Sequence, residues 1–409
     1  MGRMRPRILW LLLFLAPAAP ALAQQSLEAR VDKGIERGVE FLLSRYNKRI
    51  GWGGARGTGT YGGGLALPHR VYRYPSGPTA FCLFALLKAG VEPDHKVIKR
   101  GFSFLRARHR LPGVAYEQSV LLLAVAEWAG AKRSPDYRKG KRRRQRTTSL
   151  YNPPPGSPLL KTRWTWMCRL AGRLMQYQYK TGGWRYYPND YNAGGPTDVS
   201  STQFAVLALS TASRLGYDVP PEVFARARNF LISQQTADGP RVPRAVHMPG
   251  KPKDAKDRAR GFPYIARAKI LPYRYTTGGM TAAGCASMLV IREELAYKGK
   301  DDTLDQAILD AFAWLGRNFK VDRNPGYFRG RPGSYAFCWL YALERSGDLM
   351  GREVIGGHSW FGEGANYLLK LQREDGAFVD TTCMKPQDVL GTAFALLFLS
   401  RATRPVSGG

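Results

Sequence analysis

Two kinds of apolar segment alternate along the chain. The first kind is amphipathic: in residues 32–46, DKGIERGVEFLLSRY, apolar residues recur every three or four positions and charges occupy the other side. The second kind is apolar nearly all round, as in residues 78–90, PTAFCLFALLKAG. An amphipathic helix lies between a core and solvent, whereas a helix that is apolar all round must be covered on every side. The pattern therefore predicts outer helices alternating with inner helices.

This outer–inner unit recurs six times. The outer helices end near Phe41, Phe104, Arg173, Phe230, Trp314 and Tyr367, and the inner helices are predicted at 78–90, 117–130, 197–212, 279–295, 333–347 and 391–402. The last inner helix is strongly apolar and lies close to the C-terminus, where an open solenoid would need a polar cap. Packing the last repeat on the first would bury it. We therefore predict an all-α fold, an α/α toroid of about six helix pairs, in a single domain spanning residues 24–409.

A short phrase marks the ends of several outer helices. Residues 367–378 read YLLKLQREDGAF, and residues 230–241 read FLISQQTADGPR. The glutamine of this phrase can bond free carbonyls at a helix end, the glycine permits a left-handed turn, and the aromatic residue packs back on the helix. The phrase resembles the QW motif of the terpenoid cyclase and protein prenyltransferase superfamily, with matches at Gln178, Gln235 and Gln372. The resemblance covers roughly residues 30–402 and implies a squalene-hopene cyclase-like double ring of helices.

The catalytic signatures of that superfamily are incomplete in this chain. Where the cyclases carry Asp-x-Asp-Asp, the sequence has Asp198 followed by Ser200 and Ser201. A single aspartate at the start of a helix is favoured as an anion and suits an N-cap. Cys338 resembles the zinc-binding cysteine of the prenyltransferases, but Ala336 replaces the accompanying aspartate. No cofactor or metal site is therefore expected.

The first 23 residues have the form of an export signal, with three arginines before an apolar run and a small-residue site at 21–23. We expect an exported protein, periplasmic or extracellular, with no transmembrane segment after cleavage. Loss of these three arginines lowers the formal charge from +31 to +28. Much of the excess falls in basic insertions at about 131–162 and 241–272. One interpretation is that these insertions are solvated segments without a partner. The other is that they form a surface that binds a polyanionic polymer or an anionic membrane. Binding of a specific nucleic acid is not expected.

The loops that enter the inner helices carry the candidate site residues. In an α/α barrel these loops converge on one mouth of the central cavity, where aromatic rings could stack on a ligand and charged groups could orient it. Asp198 is the candidate catalytic residue, and the candidate ligand-binding residues are Glu117, Trp184, Arg185, Tyr186, Tyr187, Asp190, Tyr191, Tyr273, Arg274 and Tyr275. The alternative is that the tyrosines simply plug the end of the barrel.

Three functions follow from these features. The first is an exported cyclase-like repeat protein that has lost its catalytic signatures and binds a hydrophobic small molecule or a protein partner. The second is a polysaccharide-active α/α-barrel enzyme, a lyase or hydrolase, that acts on acidic polymers attracted by the basic surface. The third is a divergent terpene cyclase that uses Asp198 as its acid.

Overall fold

Twelve α-helices, arranged as six outer–inner pairs, make up most of the described part of the chain. The computed structural model describes residues 26–52, 76–128, 149–153, 157, 160–186, 197–266, 275–296, 299–326, 335–383 and 387–403. The outer helices are α1 (Leu27–Ser44), α3 (Lys96–Arg108), α5 (Lys161–Gln176), α7 (Pro221–Gln234), α9 (Asp302–Arg317) and α11 (Trp360–Leu371). The inner helices are α2 (Ser76–Lys88), α4 (Ala115–Trp128), α6 (Val199–Arg214), α8 (Gly278–Glu294), α10 (Ala336–Met350) and α12 (Val389–Leu399).

The inner helices form a closed ring. Each packs on the next in chain order, and α12 packs on α2 to complete the circle. Within α12 every residue from Leu390 to Leu399 is buried, as the all-round apolar pattern requires. Burial of each large apolar side chain contributes about 1.5–3 kcal/mol. Contact between α12 and α2 therefore stabilises the ring, because each helix would otherwise expose apolar side chains to water. The predicted α/α toroid is confirmed.

The glutamine of the repeated phrase joins neighbouring outer helices. Gln372 Nε2 donates to the Gly376 carbonyl at 3.1 Å and, across the closure, to the Gly34 carbonyl of α1 at 2.9 Å. In the third repeat, Gln178 Nε2 donates to the Gly182 carbonyl at 2.9 Å and to the Val223 carbonyl of α7 at 2.8 Å. Gln235 likewise bonds the Ala307 carbonyl of α9, so in three repeats the phrase is a structural clasp that links one outer helix to the next.

The clasp needs glycine for two physical reasons. Gly182 and Gly376 have φ values of +93° and +85°, in the region that side-chain-bearing residues rarely adopt. A Cβ at Gly376 would also lie 2.3 Å from the Arg37 carbonyl oxygen, and one at Gly182 would lie 2.1 Å from the Arg226 carbonyl oxygen. Only glycine lets the backbone of the next outer helix come this close.

A threonine near the start of the inner helix completes the clasp. The backbone N–H of Trp184 donates to Thr202 Oγ1 at 3.0 Å, and that of Phe378 donates to Thr392 Oγ1 at 2.9 Å. Both hydroxyls donate in turn to the carbonyl four residues earlier in their own helix. Each repeat thus fixes the aromatic residue of the turn against its own inner helix, so the loop that follows enters the barrel at a set position.

The few strands of the described residues are short and pair within loops. Antiparallel pairs are formed by β1 (Arg241–Pro243) with β2 (Lys256–Arg258), β3 (Phe262–Pro263) with β4 (Thr276–Thr277), and β5 (Val354–Ile355) with β6 (His358–Ser359). The strands β1, β2 and β3 lie in the basic insertion at 241–272, and β4 follows it. None of the helices in the described residues combines the length and apolar character needed to span a membrane.

Several basic side chains of that insertion form ion pairs, within it or with α9. Arg244 bonds Asp257 at 2.8 Å, with both side chains almost fully buried, and Arg260 bonds Asp310 of α9 at 2.7 Å. Burial opposes ionisation of Asp257, but the hydrogen bonds from Arg244 and Gln306 together with the Arg244 charge outweigh burial and lower the pKa of Asp257. The described part of the insertion is therefore a folded hairpin docked on α9. A polyanion surface at these arginines stays a prediction, as does any role for residues 131–148, which lie outside the described residues.

Candidate functional site

The inner helices all begin at the same end of the barrel, which we call the N-terminal mouth. Ser76 at the start of α2 bonds Glu117 at the start of α4, while Lys88 and Glu127 form an ion pair at the ends of the same two helices. Ser210 and Ser213 of α6 likewise bond Glu294 at the end of α8. Because neighbouring inner helices match start to start and end to end, they run parallel. The described ends of the loops that enter these helices therefore lie at the N-terminal mouth.

Some side chains at the N-terminal mouth reach solvent. Ser200, Met280 and Cys338 lie in the first turns of α6, α8 and α10, and all three are partly exposed although most residues around them are buried. On α6 this side continues from Ser200 to Phe204, whose ring lies 5.4 Å from the guanidinium carbon of Arg345 on α10 across the barrel. The first turns of these three inner helices are therefore partly open to solvent.

Glu117 is a buried carboxyl group on α4 at this mouth. It is 5% exposed, and its Oε1 accepts from the Ser76 hydroxyl at 2.5 Å and from the Gly77 backbone N–H at 2.8 Å. Burial raises the pKa of Glu117, and these two hydrogen bonds oppose the rise. The group therefore keeps a proton to a higher pH than an exposed glutamate does.

Asp198 is a second buried carboxyl group, at the start of the neighbouring helix α6. It is the N-cap: Oδ1 accepts from the Ser201 backbone N–H at 2.6 Å and Oδ2 accepts from the Ser201 hydroxyl at 3.1 Å. The predicted capping role is confirmed. Asp198 is only 1% exposed, and this burial raises its pKa to about 6. The helix N-terminus, the hydrogen bonds from Ser201 and the Arg185 charge all favour the anion and oppose the rise.

Two tyrosines surround Asp198. The Tyr264 hydroxyl donates to Asp198 and is also hydrogen-bonded to Tyr186. Burial and the Asp198 charge raise the pKa of Tyr186, so its hydroxyl stays protonated. The Tyr186 carbonyl accepts from the Ala115 backbone N–H at 3.3 Å and so ties this group to the start of α4, two residues before Glu117. The structure therefore places the predicted residues Glu117, Arg185, Tyr186 and Asp198 at one mouth.

Tyr264 was missing from the sequence-based set of candidates. It lies in the basic insertion, just after β3, and its carbonyl accepts from the Val199 backbone N–H at 3.2 Å. No helical period or loop position marks it, because the insertion reaches the mouth only through tertiary packing. An aromatic residue directly after the apolar pair Phe262–Pro263 was the only available signal.

Trp184 does not belong to the ligand-facing set. Its side chain is fully buried, and its indole N–H donates to the Leu174 carbonyl at 2.7 Å. Trp52 makes the same bond to the Leu42 carbonyl in the first repeat. The prediction that Trp184 stacks on a ligand was therefore wrong, because the clasp uses this ring as core.

The remaining predicted residues divide into two groups. Tyr275, just before β4, is 38% exposed and offers its ring to solvent. The candidates that lie outside the described residues are Tyr187, Asp190, Tyr191, Tyr273 and Arg274. Within the described part of the chain, no three or more His, Cys, Asp or Glu side chains are grouped so that they could hold a metal ion.

Comparison with solved structures shows what the fold is similar to. The α-1,6-mannanase GH76A of Salegentibacter sp. HEL1_6 aligns with 91% of this chain and 98% of its own, at a TM-score of 0.52 and 10% identity. An inactive variant of it, with two adjacent aspartates replaced by asparagine and α-1,6-mannotriose bound, aligns at a TM-score of 0.51 and 9% identity over 91% of this chain and 99% of its own.

A family 76 glycoside hydrolase from a bovine Bacteroides thetaiotaomicron strain aligns at a TM-score of 0.51 and 9% identity, over 91% of this chain and 77% of its own. No protein-family model and no curated protein sequence matches this chain. At these identities the comparisons establish the fold alone: an α/α toroid of the kind that these hydrolases share.

These findings correct the family resemblance drawn from the repeats. The similar solved structures are family 76 glycoside hydrolases rather than terpenoid cyclases, so the assignment to the cyclase and prenyltransferase superfamily was wrong. The physical reason is that any closed double ring must join each outer helix to the next and turn the chain sharply inward. A glutamine, a glycine and an aromatic residue meet that need whatever the chemistry. The cyclase-like binding protein and the divergent cyclase lose their basis with the resemblance.

Proposed function

We propose that this protein is a polysaccharide-active α/α-barrel hydrolase with its substrate site at the N-terminal mouth. The observation that carries the proposal is the pair of buried carboxyl groups, Glu117 and Asp198, at the starts of the adjacent inner helices α4 and α6. Glycoside hydrolysis uses two carboxyl groups, one that donates a proton and one that acts as base or nucleophile. Burial raises the pKa of both groups, which suits the proton-donating role.

The similarity to the mannanases supports this reaction class. The inactive mannanase variant described above carries asparagine in place of two adjacent aspartates. The only adjacent aspartates here are Asp301 and Asp302. They start the outer helix α9, where Arg228 bonds Asp301 at 2.7 Å and Lys251 bonds Asp302 at 2.6 Å. Because outer helices run opposite to inner ones, this pair lies away from the N-terminal mouth.

Tyrosines and charge add to the case. Tyr186 and Tyr264 place hydroxyl groups beside Asp198, and Tyr275 offers an exposed ring at the edge of β4. Such side chains stack on sugar rings and bond sugar hydroxyls. The strongly basic composition, a formal charge of +31 for the full sequence and +28 without residues 1–23, would attract an acidic polymer to the protein surface.

The test is release of reducing ends from a panel of polysaccharides that includes α-1,6-mannan and acidic polymers. Glu117→Gln and Asp198→Asn should each lower the rate at least about 100-fold, since acid–base catalysis contributes about 10²–10⁴-fold. Asparagine is as good an N-cap as aspartate, so Asp198→Asn keeps the fold while removing the titrating group.

The matched control is Glu344→Gln. Glu344 is fully buried like Asp198, and burial and the nearby Asp348 raise its pKa to about 8, but it lies on the later turns of α10 and accepts from Thr403 after α12. This change should leave the rate of hydrolysis within about twofold of wild type. Absence of new reducing ends from every polymer, or full activity in both mouth variants, would reject the proposal.

A further inference from the structure

A buried cation occupies the interior of the barrel below the N-terminal mouth. Cys338, Tyr341 and Arg345 follow one another at helical spacing along α10, on the side that faces the barrel axis. Arg345 is only 3% exposed. Its guanidinium carbon lies 4.0 Å from the centre of the Tyr341 ring and 5.4 Å from that of Phe204 on α6.

This guanidinium is incompletely bonded. Nη2 donates to Gln203 Oε1 of α6, a helix separated from α10 in the ring by α8, so the bond crosses the interior. Nη1 has no hydrogen-bond partner among the described residues, and no described carboxylate forms an ion pair with Arg345. The adjacent Glu344 is committed elsewhere: its two oxygens accept from the Thr403 backbone N–H at 2.8 Å and the Thr403 hydroxyl at 3.0 Å.

A buried charge in this state is unfavourable unless something compensates for it. Removing a guanidinium from water costs several kcal/mol, and an anion with good hydrogen-bond geometry is the usual compensation. Contact with the Tyr341 and Phe204 rings, a hydrogen bond between Arg345 and the Tyr341 hydroxyl, and attraction to Glu344 offset part of the cost, but Nη1 itself stays without a partner among the described residues. The free N–H groups of Nη1 therefore indicate a place where an anion would bind.

Partly exposed side chains lie on the mouth side of this position. Long side chains on a helix lean toward its N-terminus, so the guanidinium of Arg345 lies on the mouth side of its own Cα. Two turns nearer the mouth on the same face, Cys338 is partly exposed, and the Arg345 charge acts on its thiol, opposing the rise in pKa that burial causes. On α6, Ser200 is partly exposed one turn above Gln203.

We propose that Arg345 and Gln203 form the floor of a subsite that binds the carboxylate of a uronic-acid unit, so that the substrate is an acidic polysaccharide. This inference rests on the proposed function and specifies its substrate class. A carboxylate is planar and matches the fork of a guanidinium, and the Gln203 amide nitrogen supplies a further donor beside it. A neutral sugar hydroxyl would leave the arginine charge uncompensated.

Calorimetric titration tests the subsite without requiring turnover. The probes are α-1,4-linked galacturonate and β-1,4-linked mannuronate oligosaccharides, each beside its carboxyl-reduced neutral counterpart. Wild-type protein should bind at least one charged oligosaccharide about tenfold or more tightly than its reduced form, in line with one charge-assisted hydrogen-bonded pair. Arg345→Gln should abolish this preference and Arg345→Lys should keep part of it. Arg214→Gln is the control, because Arg214 bonds Glu293 at the other mouth and should leave the preference unchanged.

Two results would overturn the subsite: equal binding of charged and reduced oligosaccharides by wild-type protein, or an unchanged preference in Arg345→Gln. If the glutamine variant does not fold, Arg345→Met takes its place, because apolar replacement of a buried charge is often neutral or stabilising. Failure of the proposed function gives a different result. If the protein binds uronate oligosaccharides but hydrolyses no polymer, the proposed hydrolase function is rejected and the proposed carboxylate subsite is retained. If it hydrolyses a neutral polymer and shows no preference for uronates, only the subsite is rejected.

Discussion

Closure of the ring can be tested at Gln372. In Gln372→Ala, two hydrogen bonds are lost, one to the Gly376 carbonyl in the same turn and one to the Gly34 carbonyl of the first repeat. A hydrogen bond contributes about 0.5–1.5 kcal/mol net, so the free energy of unfolding should fall by about 1–3 kcal/mol. Urea denaturation measures this change, and amide hydrogen exchange should show faster exchange in α1 and α11 than in α5 and α7.

Gln178→Ala is the matched comparison inside the ring. Gln178 makes the equivalent bonds to the Gly182 and Val223 carbonyls and also accepts from Arg226, so its loss should cost as much or more. If Gln178→Ala is destabilising while Gln372→Ala stays within about 0.5 kcal/mol of wild type, the first and last repeats are not joined in solution. That result would refute the closed ring.

Three further predictions concern Asp198 and the hairpin of the basic insertion. Asp198→Ala should lower the free energy of unfolding by about 1 kcal/mol through loss of the cap on the Ser201 N–H, whereas Asp198→Asn should not, as urea titrations at pH 7 would show. The pKa of Asp198 is about 6 in the folded state against an ordinary 3.8, so the folded state binds this proton more tightly than the unfolded state. The stability that this proton contributes is fully present below about pH 4 and is lost as the pH rises to 6. Asp198→Asn should therefore reduce the fall in the free energy of unfolding between pH 4 and pH 6, as urea titrations across this range would show. Arg244→Gln should cost about 3–5 kcal/mol, seen as a fall in thermal stability, because it leaves Asp257 charged and buried; a loss below about 1 kcal/mol would show that the hairpin is not docked as described.

The architecture could be predicted because its signals are local. Whether a helix is amphipathic or apolar all round is readable from a dozen residues, and each observed inner helix begins within three residues of its predicted start. The predicted mouth was also found, since Glu117, Arg185, Tyr186 and Asp198 sit in loops or first turns that lead into inner helices. The family was misjudged on equally local evidence, because the Gln–Gly–aromatic phrase reports a need of the toroid and carries no information on chemistry.

Sequence by itself determined the six helix pairs, the closed ring and the end of the barrel where the candidate site lies, because apolar periodicity and turn residues act over one or two helical turns. Tertiary structure decided the rest. In the folded protein Trp184 is part of the core, and Tyr264 of the basic insertion lies beside Asp198. Burial raises the pKa of Glu117 and Asp198. Arg345 lies inside the barrel, where its Nη1 has no hydrogen-bond partner among the described residues. These properties depend on which distant residues exclude water from a group, and no spacing along the chain encodes that.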